Sequence, residues 1–236
     1  MTGPYIEAER RGGVLLLELN RPASRNAFDL GMMYDFGTVL AGAIRDDGVS
    51  VVVLAARGPV FCAGVDLKAY AEAMASGDGP AQMDAAAQAG ATAPRPGLGV
   101  ITREPYPKPV VCAVHGPALG LGFELVLASD MVVAGEHARF GLPEVHHGLV
   151  PSGEAVTRLV ERASWPRAML MLLSGEPVDA AAAWSYGLVT TLAGAGQDPV
   201  NVALGMASII AAQPQAAVRQ AKALAIRCGG GGFPGP

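Results

Sequence analysis

The chain has 236 residues and a formal net charge of −4, with a mean hydropathy of +0.33. Hydrophobic residues make up 51% and charged residues 16%, which predicts one large domain, with or without a small appendage, and much surface buried between subunits. The acidic balance gives no sign of a nucleic-acid-binding surface. No signal peptide is recognisable in Met1–Arg11, and polar residues and a proline interrupt the longest charge-free run, Pro199–Val218, so we expect no membrane span.

The cysteine and histidine content gives no sign of a metal site. Cys62, Cys112 and Cys228 have no metal-binding spacing, and the pair His146-His147 lacks further ligands nearby in the sequence. We therefore expect reduced thiols in a cytoplasmic protein and no bound metal ion.

Apolar runs alternate with helical patterns in the first part of the chain. Val14–Leu19 and Val51–Ala56 are near-continuous apolar runs, typical of strands that are buried on both faces. Between them, Asp29 is a candidate N-cap for a helix with apolar residues at helical spacing. This strand, helix, strand order predicts a right-handed parallel crossover and an α/β fold. Gly64 then marks a tight turn, and Asp66 is a candidate cap for the next helix.

The stretch from residue 109 to 130 repeats this arrangement. Pro109–Val114 predicts a buried strand, and a helix opens near Gly120–Gly122, where the first backbone N–H groups lack intrahelical partners and attract negative charge. Glu124 lies in the first turn of that helix among apolar residues. A carboxylate there is costly to bury without a partner or a task. An ordinary first-turn glutamate, favoured by the helix dipole, is the alternative.

The remaining segments predict mostly helices. Residues 81–104 read as a helix interrupted by prolines, 130–134 as a short strand, and 138–150 as irregular structure. A helix that opens at Pro151-Ser152-Gly153 and runs to about Arg162, and two shorter ones, lead to a strand over Leu188–Leu192. A helical pair over 198–212 and 215–227 follows. We divide the chain into a core of residues 1–190, a helical region of residues 191–228 and a flexible tail of residues 229–236.

The two glycine turns are the candidate ligand site. Gly64-Val65 and Gly120-Leu121 each follow a strand of what is predicted to be one sheet, and ligands in such sheets bind beyond the carboxyl ends of the strands. If the turns are neighbours, their free N–H groups can converge on one oxygen as an oxyanion hole. Two ordinary turns are the alternative.

Four segments match a known family in order and spacing: Asn20-Arg21-Pro22 with Asn26-Ala27-Phe28, Phe61–Leu67, His115–Leu125 and Phe140–Val145. With them the chain resembles the enoyl-CoA hydratase/isomerase (crotonase) superfamily over residues 5–225, and it is most like the enoyl-CoA hydratases. The resemblance implies a ClpP-like spiral of ββα units with a C-terminal helical trimerisation region. It also implies a homotrimer or a dimer of trimers.

The resemblance implies a role for each site residue. Glu124 would orient and deprotonate a water molecule and Glu144 would protonate C2 of a 2-enoyl-CoA thioester, while the backbone N–H groups of Val65 and Leu121 would hold the thioester oxygen. The family usually has glycine where Leu121 stands, so we expect backbone strain at that residue if it needs a positive φ.

Coenzyme A contacts are implied by the same resemblance. Arg25, Ala63, Val65 and Asp66 would bind the coenzyme A part of the substrate, and no separate cofactor is required. An ordinary solvated arginine is the alternative for Arg25.

Some positions depart from the family pattern. Pro151-Ser152-Gly153-Glu154-Ala155 replaces a glycine-rich turn, and Glu154 either favours the helix dipole or has a role of its own. His146 and His147 either line the acyl pocket or face solvent. An isomerase, another acyl-CoA lyase, or a catalytically impaired acyl-CoA-binding protein of the same fold are the alternatives to a hydratase.

Overall fold

The computed structural model describes residues 5–76 and 79–229. The strands are β1 (Ile6–Arg11), β2 (Val14–Leu19), β3 (Val51–Ala56), β4 (Val110–Val114), β5 (Pro117–Leu119), β6 (Met131–Ala134), β7 (Arg139–Gly141), β8 (Val178–Asp179) and β9 (Thr191–Leu192). The helices are α1 (Leu30–Arg45), α2 (Leu67–Ala75), α3 (Gly79–Gln88), α4 (Gly99–Thr102), α5 (Leu121–Ala128), α6 (Gly153–Arg162), α7 (Trp165–Ser174), α8 (Ala180–Ser185), α9 (Pro199–Ala211) and α10 (Gln215–Gly229). Short 3₁₀-helices cover Pro22–Ser24 and Pro143–His147.

Two sheets organise the molecule. The larger has six strands in the order β1-β2-β3-β4-β6-β9, and the smaller has three in the order β5-β7-β8. From β2 to β9 the larger sheet is parallel, and β1 pairs with β2 in the antiparallel sense. The predicted α/β class and the parallel crossover from β2 through α1 to β3 are therefore confirmed.

Helices cover both faces of the larger sheet. Alternate residues of a strand point to opposite faces, and in β3 this sends Val52 and Leu54 into the main core with α1, and Val51 and Val53 into a second core under α9. Both faces of β3 are thus buried, which explains why its sequence is apolar throughout. Because α9 covers one face of the sheet, the core reaches past residue 190; the division of the chain at that residue stays a prediction.

Several sequence expectations need correction. The first strand among the described residues, β1, is an edge strand that its charged sequence did not indicate. The interrupted helix expected over 81–104 is the separate helices α3 and α4. The segment expected to be irregular contains β7 and a 3₁₀-helix, because β7 pairs with β5 and β8. The strand expected over Leu188–Leu192 covers only Thr191–Leu192.

Only the first residue of the predicted C-terminal tail lies among the described residues. In the tail predicted over 229–236, Gly229 is the last residue of α10, and residues 230–236 lie outside the described residues. Within residues 5–76 and 79–229, no helix is both long and apolar enough to cross a membrane.

Candidate active site

The two glycine turns are neighbours in space. The N–H of Cys62 donates to the carbonyl of Pro117 at 3.1 Å, and the N–H of Leu119 donates to the carbonyl of Cys62 at 2.9 Å. These bonds place the loop after β3 beside β5, which leads into α5. The thiol of Cys62 is buried between the two elements, and burial raises its pKa to about 12, so this cysteine stays a neutral thiol.

Gly64 lies where the two turns touch. Its φ is +107°, and a Cβ atom there would stand 3.3 Å from the carbonyl oxygen of Leu119 and 3.7 Å from the amide nitrogen of Leu121. Only glycine combines this backbone angle with so close an approach. The Gly64 turn is therefore in contact with the start of α5, as an oxyanion hole requires.

Two amide groups are available at this junction. Val65 follows Gly64, and within the described residues its N–H donates no hydrogen bond, although the amides on either side of it have acceptors. Leu121 is the first residue of α5, where an N–H has no intrahelical partner. The positions of these two residues agree with an oxyanion hole, and their role in binding the thioester oxygen stays a prediction.

The strain expected at Leu121 does not arise. The positive φ falls one residue earlier, on Gly120 at +53°, which is the N-cap of α5. Leu121 has helical geometry and is 8% exposed. The condition for strain is therefore not met, because the turn is carried by the adjacent glycine.

Glu124 is largely buried in the first turn of α5. Its N–H donates to the carbonyl of Gly120 at 2.9 Å. Burial raises the pKa of its carboxyl above the ordinary value, while the Ser152 hydroxyl and the Arg158 guanidinium lower it and the carboxylates of Glu154 and Glu144 raise it further. Glu124 is thus a largely buried carboxyl whose pKa is also raised by the nearby carboxylate of Glu144.

Glu144 approaches the same junction from the 3₁₀-helix Pro143–His147. Its Oε1 would lie 3.2 Å from a Cβ atom on Gly120, and its Oε2 is buried and has no hydrogen-bond partner among the described residues. Burial raises the pKa of this carboxyl, and its own backbone N–H and His147 lower it. A buried carboxyl oxygen without a partner is costly. Oε2 of Glu144 is therefore available to form a hydrogen bond with a substrate or a water molecule.

The coenzyme A candidates lie on one strip beside the junction. Arg25 is exposed, and its carbonyl accepts the N–H of Ala63 at 3.0 Å. Ala63 and Val65 are half-buried. Asp66 differs from the other candidates in that both oxygens of its carboxylate already accept hydrogen bonds. Oδ2 accepts from Arg21 at 2.8 Å, and Oδ1 accepts the N–H of Ala69, at the start of α2, at 3.1 Å.

The positions that depart from the family pattern have separate surroundings. Nε2 of His146 is 2.6 Å from the carbonyl oxygen of Ser174, so this ring faces the end of α7. His147 lies three residues after Glu144, and residues at that spacing eclipse each other on a 3₁₀-helix. Glu154 lies in the first turn of α6, and its carboxylate is 3.5 Å from Nε of Arg103.

Sequence reasoning missed Arg158. Its guanidinium is largely buried, lies in electrostatic reach of Glu124, and has one buried nitrogen, Nη1, that lacks a partner among the described residues. The available signal was its position four residues after Glu154 on a predicted helix, which places the two side chains on one face.

Comparison with known proteins identifies the family. The family model described as enoyl-CoA hydratase/isomerase matches residues 9–227. The chain belongs to this family. The resemblance seen in the four sequence segments is thereby confirmed.

Two similar relatives within the family are named hydratases. The chain is 34% identical to the enoyl-CoA hydratase EchA19 of Mycobacterium tuberculosis, over 92% of this chain and 79% of the relative. It is 39% identical to the 2,3-dehydroadipyl-CoA hydratase of Escherichia coli, over 77% of this chain and 66% of the relative. These relatives place the chain among the hydro-lyases of the family.

A solved structure confirms the fold. The crystal structure of an enoyl-CoA hydratase from Mycobacterium tuberculosis superposes with a TM-score of 0.84 at 34% identity, covering 98% of this chain and 84% of that chain. The crotonase fold inferred from the sequence is therefore confirmed. Both sheets and the helices between them belong to this fold.

Proposed function

We propose that the protein is an enoyl-CoA hydratase that adds water across the 2,3 double bond of a 2-enoyl-CoA thioester. The observation that carries the proposal is that two half-buried carboxyls with raised pKa values, Glu124 and Glu144, both belong to residues that contact Gly120, next to Leu121 and the turn of Val65. Hydration needs these four groups: a base for water, an acid for C2, and two donors for the charge on the thioester oxygen.

The proposed reaction uses each of the four groups once. Glu124 takes a proton from water as the oxygen forms its bond to C3. The electron pair of the double bond moves toward the thioester oxygen, and the amides of Val65 and Leu121 stabilise the negative charge there. Glu144 gives its proton to C2 and restores the thioester. Burial raises the pKa of both carboxyls, which favours proton exchange at each of them. The assignment of Glu124 as base and Glu144 as acid follows the family resemblance.

The substrate carries coenzyme A, and the reaction uses no other organic group. We assign its coenzyme A part to the strip formed by Arg25, Ala63, Val65 and the backbone of Asp66. Arg25 is exposed beside Ala63 and can meet a phosphate group. The chemistry needs only water and the thioester, so we propose no separate cofactor.

We further propose that the enzyme is a homotrimer or a dimer of trimers. Large apolar side chains remain exposed in this single chain, on α7 and on the segment before α6. Val150 is 84% exposed, Leu173 76% and Trp165 64%. Exposed apolar groups of this size are typical of a protein interface.

The test is the loss of the enone absorbance when a short 2-enoyl-CoA is added. We expect Glu124→Gln and Glu144→Gln each to lower kcat by about 100-fold or more, because each removes a proton-transfer group and keeps its shape. A wild-type rate in either variant would contradict the mechanism. Isomerisation of a 3-enoyl-CoA that survives Glu124→Gln would favour an isomerase. Coenzyme A binding without turnover of any thioester would favour a binding protein.

A further inference from the structure

The loop that carries Val65 is held by the segment Asn20–Asp29. The N–H of Phe28 donates to the carbonyl of Gly64, and the N–H of Asp66 donates to the carbonyl of Phe28, both at 2.9 Å. Phe28 itself is fully buried. These bonds fix the backbone on both sides of Val65. They leave its N–H pointing away from Phe28, because the parallel bridge uses the carbonyl of the residue before Val65 and the N–H of the residue after it.

Arg21 ties the same loop down through its side chain. Its Nη1 donates to Oδ2 of Asp66 at 2.8 Å and to the carbonyl of Ala27 at 2.9 Å. Its Nη2 is 3.2 Å from Oδ2 of Asp29. The side chains of Arg21, Asp66 and Asp29 are only 18%, 17% and 20% exposed, so these charge-assisted bonds are partly shielded from water.

We propose that Arg21 and Asp66 are positioning residues that hold the Val65 amide in the oxyanion hole, and that the Asp66 carboxylate is bonded to Arg21 instead of binding coenzyme A. This inference rests on the proposed function. Both oxygens of Asp66 are engaged, Oδ2 by Arg21 and Oδ1 by the N–H of Ala69. A coenzyme A contact would have to break one of these bonds. Arg21 in addition lowers the pKa of Asp66, which keeps the carboxylate ionised.

The Val65 amide has to be held in place for a geometric reason. An oxyanion donor stabilises the developing charge only if it is held in place before the reaction, and a displacement of about 1 Å can cost about 100-fold in rate. Val65 lies on a loop, where backbone positions are less restrained than in a helix or strand. The amide of Leu121 is fixed by the start of α5, whereas that of Val65 depends on Phe28 and Arg21.

Two asparagine variants form a matched test. Asp66→Asn and Asp29→Asn each remove one carboxylate from Arg21, and asparagine still caps the following helix. We expect Asp66→Asn to lower kcat by about tenfold or more with KM changed by less than about threefold. We expect Asp29→Asn to change kcat by less than about threefold. Equal kcat values for the two variants, or an Asp66→Asn effect confined to KM, would overturn the inference.

A spectroscopic readout separates positioning from general damage. A bound 2,4-dienoyl-CoA shifts its absorbance to longer wavelength when hydrogen bonds polarise its carbonyl, and we would measure this shift in a Glu124→Gln background to suppress turnover. We expect the shift to fall by about half in Asp66→Asn, since one of two donors is misplaced, and to persist in Asp29→Asn. An unchanged shift in Asp66→Asn would overturn the inference.

The conservative variant Arg21→Lys covers the case in which Asp66→Asn does not fold. Lysine keeps the charge but cannot bond to Asp66 and Ala27 in the planar geometry of a guanidinium. We expect an intermediate kcat and an intermediate shift; wild-type values of both would contradict the inference. Failure of the proposed function is distinguishable, because the wild-type chain would then not hydrate an enoyl thioester, whatever these variants do to the dienoyl band.

Discussion

Gly120 separates the Leu121 amide from the Glu144 carboxyl, and filling it with one methyl group tests the site directly. Gly120→Ala places a Cβ atom 3.2 Å from Oε1 of Glu144, so that the carboxyl has to retreat by a few tenths of an ångström. The residue also has a φ of +53°. An alanine there costs about 1–3 kcal/mol of folding free energy, since a residue with a Cβ atom rarely adopts the combination of φ +53° and ψ −123°.

The chain has two ways to accept the new methyl group, and both disturb the site. If the backbone is kept, Glu144 is displaced from the position where we place its proton transfer. If the backbone rotates, the Leu121 amide moves out of the junction, and the loss of one oxyanion donor costs about 100- to 1000-fold in kcat. We therefore expect kcat of Gly120→Ala to fall by between about 10-fold and 1000-fold.

Gly196→Ala is the matched control. Gly196 has a φ of +73°, and a Cβ atom there would meet nothing within 4 Å. This variant also puts an alanine at a positive φ, but its methyl group meets no neighbour. We would measure free energies of unfolding in denaturant and the initial rate of enoyl-CoA hydration for both variants. If the two variants had kcat values within about threefold of each other, the assigned geometry would be refuted.

Two further predictions concern pH and assembly. Burial raises the pKa of the carboxyls of Glu124 and Glu144 in the folded state, so the folded state binds more protons and stability falls as pH rises through the ordinary glutamate pKa toward the raised one. Glu144→Gln should therefore stabilise the fold at pH 8 and lose that gain near pH 4, as measured in urea; a gain that is independent of pH would contradict the burial argument. Leu173→Lys should convert the assembly into smaller species in light scattering, because it puts a charge on an exposed apolar position of α7. A monomeric wild-type chain would contradict the proposed trimer.

The sequence predicts the parallel part of the fold because strands that are buried on both faces are recognisable as nearly continuous apolar runs. The strands β2, β3 and β4 are apolar at nearly every residue, and few alternatives exist for such short runs between turn signals. The edge strand β1 has no such apolar run. Its residues include Glu7, Glu9 and Arg10, because an edge strand faces solvent and carries charges that discourage further pairing.

The candidate site could be predicted in its residues but not in its geometry. Glycine at position 64 and the apolar setting of Glu124 are local signals. The neighbourhood of the two turns depends on the pairing of Cys62 with Ala118, which joins residues far apart in the chain. The position of the positive φ on Gly120, and the contact between Asp66 and Arg21, likewise follow from packing between segments.

The most direct measurement is a crystal structure of the enzyme with a bound acyl-CoA. We expect the thioester oxygen to lie about 3 Å from the amide nitrogens of both Val65 and Leu121. The carboxyls of Glu124 and Glu144 should then face the carbons C3 and C2 of the acyl group. A thioester oxygen bound away from these amides, or acyl carbons out of reach of both carboxyls, would contradict the proposed hydratase mechanism.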